Sequence, residues 1–214
     1  MGIEIFYLKQ YNPDYPLALT QRLGSNAPEA ISTLGDLEIL QHKKIGLFCS
    51  VKCPGHLILK AYDLAQALRQ DDITVISGFQ SPVEQECLNV LLRGSQPIII
   101  CLARSMENMR LRSEYKEPLK NGRLLILSPF INKPIRPTAI TTMYRNRIVA
   151  SLADAVVIIH AEPEGRIEQL SHEISAWKKP LYSFESSANA NLIEIGAKCL
   201  SLDSISEWIQ AAKH

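Results

Sequence analysis

No stretch of this 214-residue chain approaches the roughly 18 consecutive apolar residues that a membrane-spanning helix needs, so no membrane association is expected. The amino terminus, Met1-Gly2-Ile3-Glu4-Ile5-Phe6-Tyr7, lacks a basic stretch leading into a long apolar one, which argues against a secretory leader. Cysteines number only five, an odd count, scattered at 49, 53, 87, 101 and 199 and mostly inside apolar runs. That excludes a disulfide framework and predicts reduced thiols in a cytoplasmic protein. Net charge is nearly absent, at +1, which excludes a generally basic surface. No Gly-x-Gly-x-x-Gly follows the first strand of the main pattern and no Gly-Lys-Ser/Thr occurs, which disfavours ordinary dinucleotide and ATP sites. Cys49 and Cys53 have a metal-pair spacing, but the other cysteines are distant and no histidine pair completes a set. No metal or other cofactor is expected. Internal repeats and low-complexity tracts are missing as well.

With 46% hydrophobic residues the chain can bury a full core. From position 44 onward, short apolar runs at 45–49, 73–77, 97–102, 124–128, 155–159 and 181–184 alternate with amphipathic stretches at 56–70, 83–92, 145–152 and 167–177. The runs are apolar throughout rather than alternating, as strands buried on both faces are. This rhythm predicts right-handed crossovers and an α/β fold with a doubly wound, mainly parallel sheet. Residues 1–40 differ, with turn formers at Asn12-Pro13-Asp14, Tyr15-Pro16 and Gly24-Ser25-Asn26-Ala27-Pro28 around short helical pieces. They read as a small helical N-terminal lead-in packed on a sheet domain at 41–214. Two prolines exclude regular helix or central strand at 131–137, and a last amphipathic segment is expected at 205–211.

Carboxylates are missing from one further place. Between Glu117 and Asp154 there is none, yet Lys120, Arg123, Lys133, Arg136, Arg145 and Arg147 fall inside that window. The cationic character is therefore local and predicts an anionic ligand held at one place. In an open parallel sheet, ligands settle at the carboxyl ends of the strands. There this sequence places Ser50-Val51-Lys52, Ser77-Gly78 and Ala103-Arg104-Ser105. Hydroxyl residues and glycine let backbone N–H groups approach a phosphate, and a following helix N-terminus adds partial positive charge. Lys52, Arg104, Arg145 and Arg147 supply neutralising side chains, and Arg145-Asn146-Arg147 is expected at a strand edge as one wall of the cleft. The expected ligand is a phosphate or a nucleic-acid backbone. Glu84, Glu86 and Glu173 are candidate acids or hydrogen-bond acceptors near the cleft, but none has an evident partner for general-base or nucleophilic chemistry. His42, His56, His160 and His172 read as core or surface residues. Each element of the cleft also has a purely structural reading, since Ser-Gly after a strand is often only a turn and arginines can brace a helix end.

The residues resemble the DNA-processing protein A (DprA/Smf) family, whose core is an extended Rossmann-like domain. Tyr144-Arg145-Asn146-Arg147-Ile148-Val149-Ala150-Ser151-Leu152 is similar to that family's Arg-Asn-Arg-Ile-Ile-Ala-Gly-Leu motif. Tyr15-Pro16, Ala27-Pro28 and Leu34-Gly35 resemble its lead-in. Ile76-Ser77-Gly78-Phe79 is similar to its Ser-Gly turn, and Gly122 followed by Leu125-Ile126-Leu127-Ser128 to the strand before its variable loop. Asn191-Leu192-Ile193 with Gly196-Ala197 is similar to its closing motif. The resemblance implies a non-enzymatic binder of single-stranded DNA in a basic cleft, a partnership with the recombinase RecA in natural transformation, and a homodimer. It also implies base stacking on an aromatic such as Tyr144 or Phe79.

The chain departs from that family at several turns. Cys49-Ser50-Val51 stands in place of Gly-Ser-Arg, leaving Lys52 as the substitute cation. Residues 82–88 stand in place of Gly-Ile-Asp-x-x-Ala-His and keep the acid as Glu84. Pro163-Glu164-Gly165-Arg166 replaces a phosphate-type Ser-Gly-Ser-Leu turn, with Gly165 and Arg166 its anion contacts. No winged-helix domain is expected after 205–211. Two alternatives compete: a nucleotide-binding or nucleotide-sensing relative of the lysine-decarboxylase-like phosphoribohydrolases, and a degenerate scaffold that acts through protein contacts. The first would carry Pro-Gly-Gly-x-Gly-Thr, of which only Pro163-Glu164-Gly165 is present.

Overall fold

The computed structural model describes residues 4–70, 73–132 and 136–200; Lys133 and the segment expected at 205–211 lie outside them. The strands are β1 (Phe6–Lys9), β2 (Ala30–Gly35), β3 (Lys44–Cys49), β4 (Thr74–Ser77), β5 (Ile98–Cys101), β6 (Leu124–Ser128), β7 (Ala155–His160), β8 (Leu181–Phe184) and β9 (Lys198–Leu200). The helices are α1 (Leu17–Leu23), α2 (Gly55–Leu68), α3 (Pro82–Leu91), α4 (Ser113–Lys120), α5 (Ala139–Leu152), α6 (Arg166–Ala176) and α7 (Ala190–Glu194). All strands belong to one sheet, in the order β1-β2-β6-β5-β4-β3-β7-β8-β9. From β6 to β9 every pairing is parallel.

The apolar runs are strands because helices cover both faces of the sheet and both sets of side chains must leave water. On one face Leu57, Leu64 and Leu68 of α2 and Val83 and Leu91 of α3 pack on Leu47, Val75, Ile98 and Ile126. On the other, Ile148 and Leu152 of α5 and Leu170 and Ile174 of α6 pack on Phe48, Ile76, Ile99 and Leu125. The buried positions of α2, at 57, 61, 64, 65 and 68, follow the helical period. β3 to β6 grow the sheet in one direction and β7 to β9 in the other, so the order reverses between β3 and β7.

Two expectations need correction. The lead-in is not simply helical: beside α1 it contributes β1 and β2, which extend the sheet antiparallel beyond β6. β2 hides from a hydrophobic pattern because Ser32 and Thr33 are buried polar residues, Ser32 donating to the Ser128 carbonyl at 3.3 Å. α5 begins at Ala139, where Thr138 and Thr141 form a reciprocal cap, so Arg145-Asn146-Arg147 lies in mid-helix and not at a strand edge. No helix among the described residues is long and apolar enough to cross a membrane.

Candidate nucleic-acid interface

The carboxyl ends of β3 and β7 part at the reversal of strand order, and a cavity of about 770 Å³ opens there. Ser50, Asn146, Gly165 and Arg166 line it. The Ser50 hydroxyl accepts the Glu162 N–H at 2.9 Å and so joins the two strand ends. Gly165 is the N-cap of α6, which has no side-chain cap, and Arg166 is exposed with no partner among the described residues. The free N–H groups and helix dipole favour an anion there. Glu162 and Glu164 share the lining, however, so the charge of this crevice is mixed.

Beside the turns expected to cradle a phosphate, several N–H groups at the ends of β3 and β4 are already occupied, the Ser50 N–H by the His160 carbonyl at 2.9 Å. Glu84, 4% exposed, accepts the Cys49 N–H at 2.9 Å through Oε1, and the Gln80 and Ser81 N–H groups at 2.8 and 3.3 Å through Oε2. The chain therefore supplies its own anion to these turns. Burial pushes the Glu84 carboxyl up, while the Arg145 charge and the three N–H groups pull it down. The Ser81 hydroxyl in return accepts the Glu84 N–H, closing a capping box at the start of α3. Ser77 is fully buried, its hydroxyl accepting the Phe79 N–H at 3.2 Å, and it lines neither cavity.

Arg145 is 2% exposed. Its guanidinium donates to the Cys101 carbonyl at 2.8 Å, to Gln80 Oε1 at 2.7 Å and to Asn146 Oδ1 at 2.8 Å. Burial lowers its pKa, and the neighbouring Cys101 and Glu84 oppose the shift. Gly78 lies directly beneath it, where a Cβ would overlap the guanidinium. Arg147 forms a two-pronged pair with Glu173 of α6, at 2.6 and 2.7 Å, and lines neither cavity. The two arginines of the motif thus brace α5 against β5 and α6. Of the aromatics expected to stack on bases, Phe79 is buried but is among the residues lining a cavity over the ends of β4 and β5, and Tyr144 donates its hydroxyl to the Asn26 carbonyl with its ring edge-on to Phe130. Glu86 is exposed beside Asn89, and Lys52 is exposed outside both cavity linings.

A second cavity, about 350 Å³, opens over the ends of β4 and β5, with Gln80 and Arg145 as the wall it shares with the first. Its charge is of one sign: Arg104, Arg110 and Arg112 stand around it and no carboxylate lines it. Arg104 donates to the Ser105 carbonyl at 3.2 Å, and Arg112 meets exposed Glu114 at 3.7 Å. Arg110 is exposed and has no partner among the described residues. The sequence reading missed Arg110 and Arg112 because they lie outside the carboxylate-free window. Their signal was the alternating Arg110-Leu111-Arg112 beyond the end of a buried strand.

Solved structures share this fold. A DNA processing protein A from Helicobacter pylori, described by its single-stranded DNA binding mode, is 18% identical with a TM-score of 0.78, covering 99% of this chain and 98% of that one. The Streptococcus pneumoniae DNA processing protein A is 17% identical with a TM-score of 0.76, covering 95% of this chain and 74% of that one. A molybdenum cofactor carrier protein from Chlamydomonas reinhardtii is more remote, at 12% identity and a TM-score of 0.55, covering 79% of this chain and 98% of that one. No curated protein matches the chain. At these identities the likenesses establish the fold, whereas the family rests on the sequence itself, which matches the profile of DNA recombination-mediator protein A over residues 6–211. The chain belongs to that family.

Proposed function

We propose that this protein binds single-stranded DNA as a recombination mediator and acts by binding rather than by catalysis. The family match across residues 6–211 carries the reading. The arginine cavity supports it, because cations without facing carboxylates at the ends of parallel strands suit a phosphate backbone. The strand would follow the rim past Arg104, Arg110 and Arg112, with Arg166 and the α6 N-terminus as a further anchor. In this reading 41–214 is the DNA-handling unit and 1–40 its lead-in, RecA is the protein partner, and the chain pairs as a homodimer in the cytoplasm. A RecA pull-down and light scattering check the last two interactions.

Fluorescence anisotropy with a single-stranded oligonucleotide tests the core claim. Arg104→Ala with Arg110→Ala is expected to weaken binding at least tenfold, while Lys9→Ala, on the distant edge strand β1, leaves it unchanged. Absence of binding at low salt overturns the proposal.

A further inference from the structure

We infer that the arginine-rimmed cavity over β4 and β5 is a seat for a single nucleotide, with the base on its apolar floor and the phosphate at the arginine rim. Leu88, Ile100 and Ile126 are buried and contribute apolar surface to the lining, and half-buried Tyr115 adds an aromatic ring. Gln85 and Asn89 of α3 also line it, and the acceptor oxygen of each carries no partner among the described residues. The lining is mixed, polar around the rim and apolar only where these buried side chains reach it, and a planar heterocycle with hydrogen-bonding edges suits such a surface.

The charge completes the match. Arg104, Arg110 and Arg112 surround the opening and the fixed Arg145 charge lies in its wall, all without a lining carboxylate. Like charges around one opening repel one another, and an anion relieves that repulsion. Bare phosphate would use the arginines but leave the apolar floor wet. An uncharged apolar ligand would fill the floor and leave exposed Arg110 unanswered. A nucleotide uses both, and about 350 Å³ suits one nucleotide unit rather than a dinucleotide. That unit can be a free nucleoside monophosphate or the end of a strand. The inference uses the cavity invoked for DNA but stands whether or not a strand binds.

Calorimetry at low salt, with deoxyadenosine 5′-monophosphate, deoxyadenosine and inorganic phosphate, is the test. The monophosphate is expected to bind at least tenfold more tightly than either fragment. Arg110→Ala, which breaks no contact within the described fold, should weaken it at least tenfold, and Tyr115→Leu should bring it down towards phosphate. A 5′-phosphorylated oligonucleotide that outbinds its 5′-hydroxyl counterpart and competes with the monophosphate identifies a strand end as the source. Monophosphate binding without that discrimination identifies the free nucleotide. A monophosphate no tighter than phosphate, no saturable binding, or an unaffected Arg110→Ala overturns the inference. Oligonucleotide binding without monophosphate binding removes the seat and leaves the DNA reading standing, and the reverse result removes only the DNA reading.

Discussion

Arg145 and Gly78 depend on one another. A guanidinium taken out of water must have its charge and its N–H groups answered, and Arg145 achieves this only by passing over a residue without a side chain. Gly78→Ala is therefore expected to destabilise the fold by about 1–3 kcal/mol through overpacking, measured by urea unfolding. Arg145→Ala should cost about 3–5 kcal/mol, because it opens a large cavity and strips the Cys101 carbonyl, Gln80 and Asn146 of a buried donor. Arg147→Ala, which breaks a partly exposed pair with Glu173, should cost about 1 kcal/mol or less. Equal losses in the two arginine variants would contradict these roles. The Arg-Asn-Arg segment was legible in the sequence, but its burial was not. Charge marks a residue as important, while only the packing of α5 over β5 shows that its partners lie within the chain.

Elements here are fastened at their ends by charged side chains reaching from elsewhere. Glu84 sits on α3 yet holds the turn after β3, 35 residues away in sequence. Glu84→Gln brings an amide donor against backbone donors in either orientation of the amide, and about 1–3 kcal/mol should be lost. At the far end of α5, buried Lys179 donates to the carbonyls of Ala150 at 2.5 Å, Ser151 at 3.0 Å and Ala153, satisfying a helix C-terminus. Burial pushes the Lys179 ammonium down to about 7 from an ordinary 10.5, with the Arg22 charge adding to the effect. Between those values the unfolded chain holds a proton that the folded one lacks, so this residue makes stability rise with pH across that window. Urea melts at pH 7 and pH 9 should show stability changing more favourably with pH in the native chain than in Lys179→Met, Lys44 being shifted down by burial as well in both. The six buried strands were legible because continuous apolar runs have few other fates in an α/β chain. β1 and β9 were not, since edge strands are short, partly polar and defined by the neighbour they pair with, and β2, an interior strand, hid behind its buried Ser32 and Thr33.

At the scale of the whole molecule, a net charge of +1 gives little long-range attraction for a polyanion, so affinity must come from local contacts. The sequence showed that the cations are unevenly distributed, but it placed their centre at Arg145 and Arg147, both of which are engaged within the fold. Folding brings Arg104, Arg110 and Arg112 together at the strand ends instead. If those three neutralise three phosphates, log affinity against log salt should have a slope of about −2, since each contact to a single strand contributes roughly −0.7. Raising salt from 50 to 200 mM would then weaken binding about 20-fold, and Arg104→Ala with Arg110→Ala would flatten the slope to about −0.7. A slope steeper than about −4 in the native chain would mean that the contact surface extends well beyond this cavity, along the rim to Arg166 or onto a second copy. An unchanged slope in the double variant would place the DNA elsewhere on the sheet edge. The slope therefore separates a local arginine site from a diffuse one, a distinction that affinity at a single salt concentration cannot make.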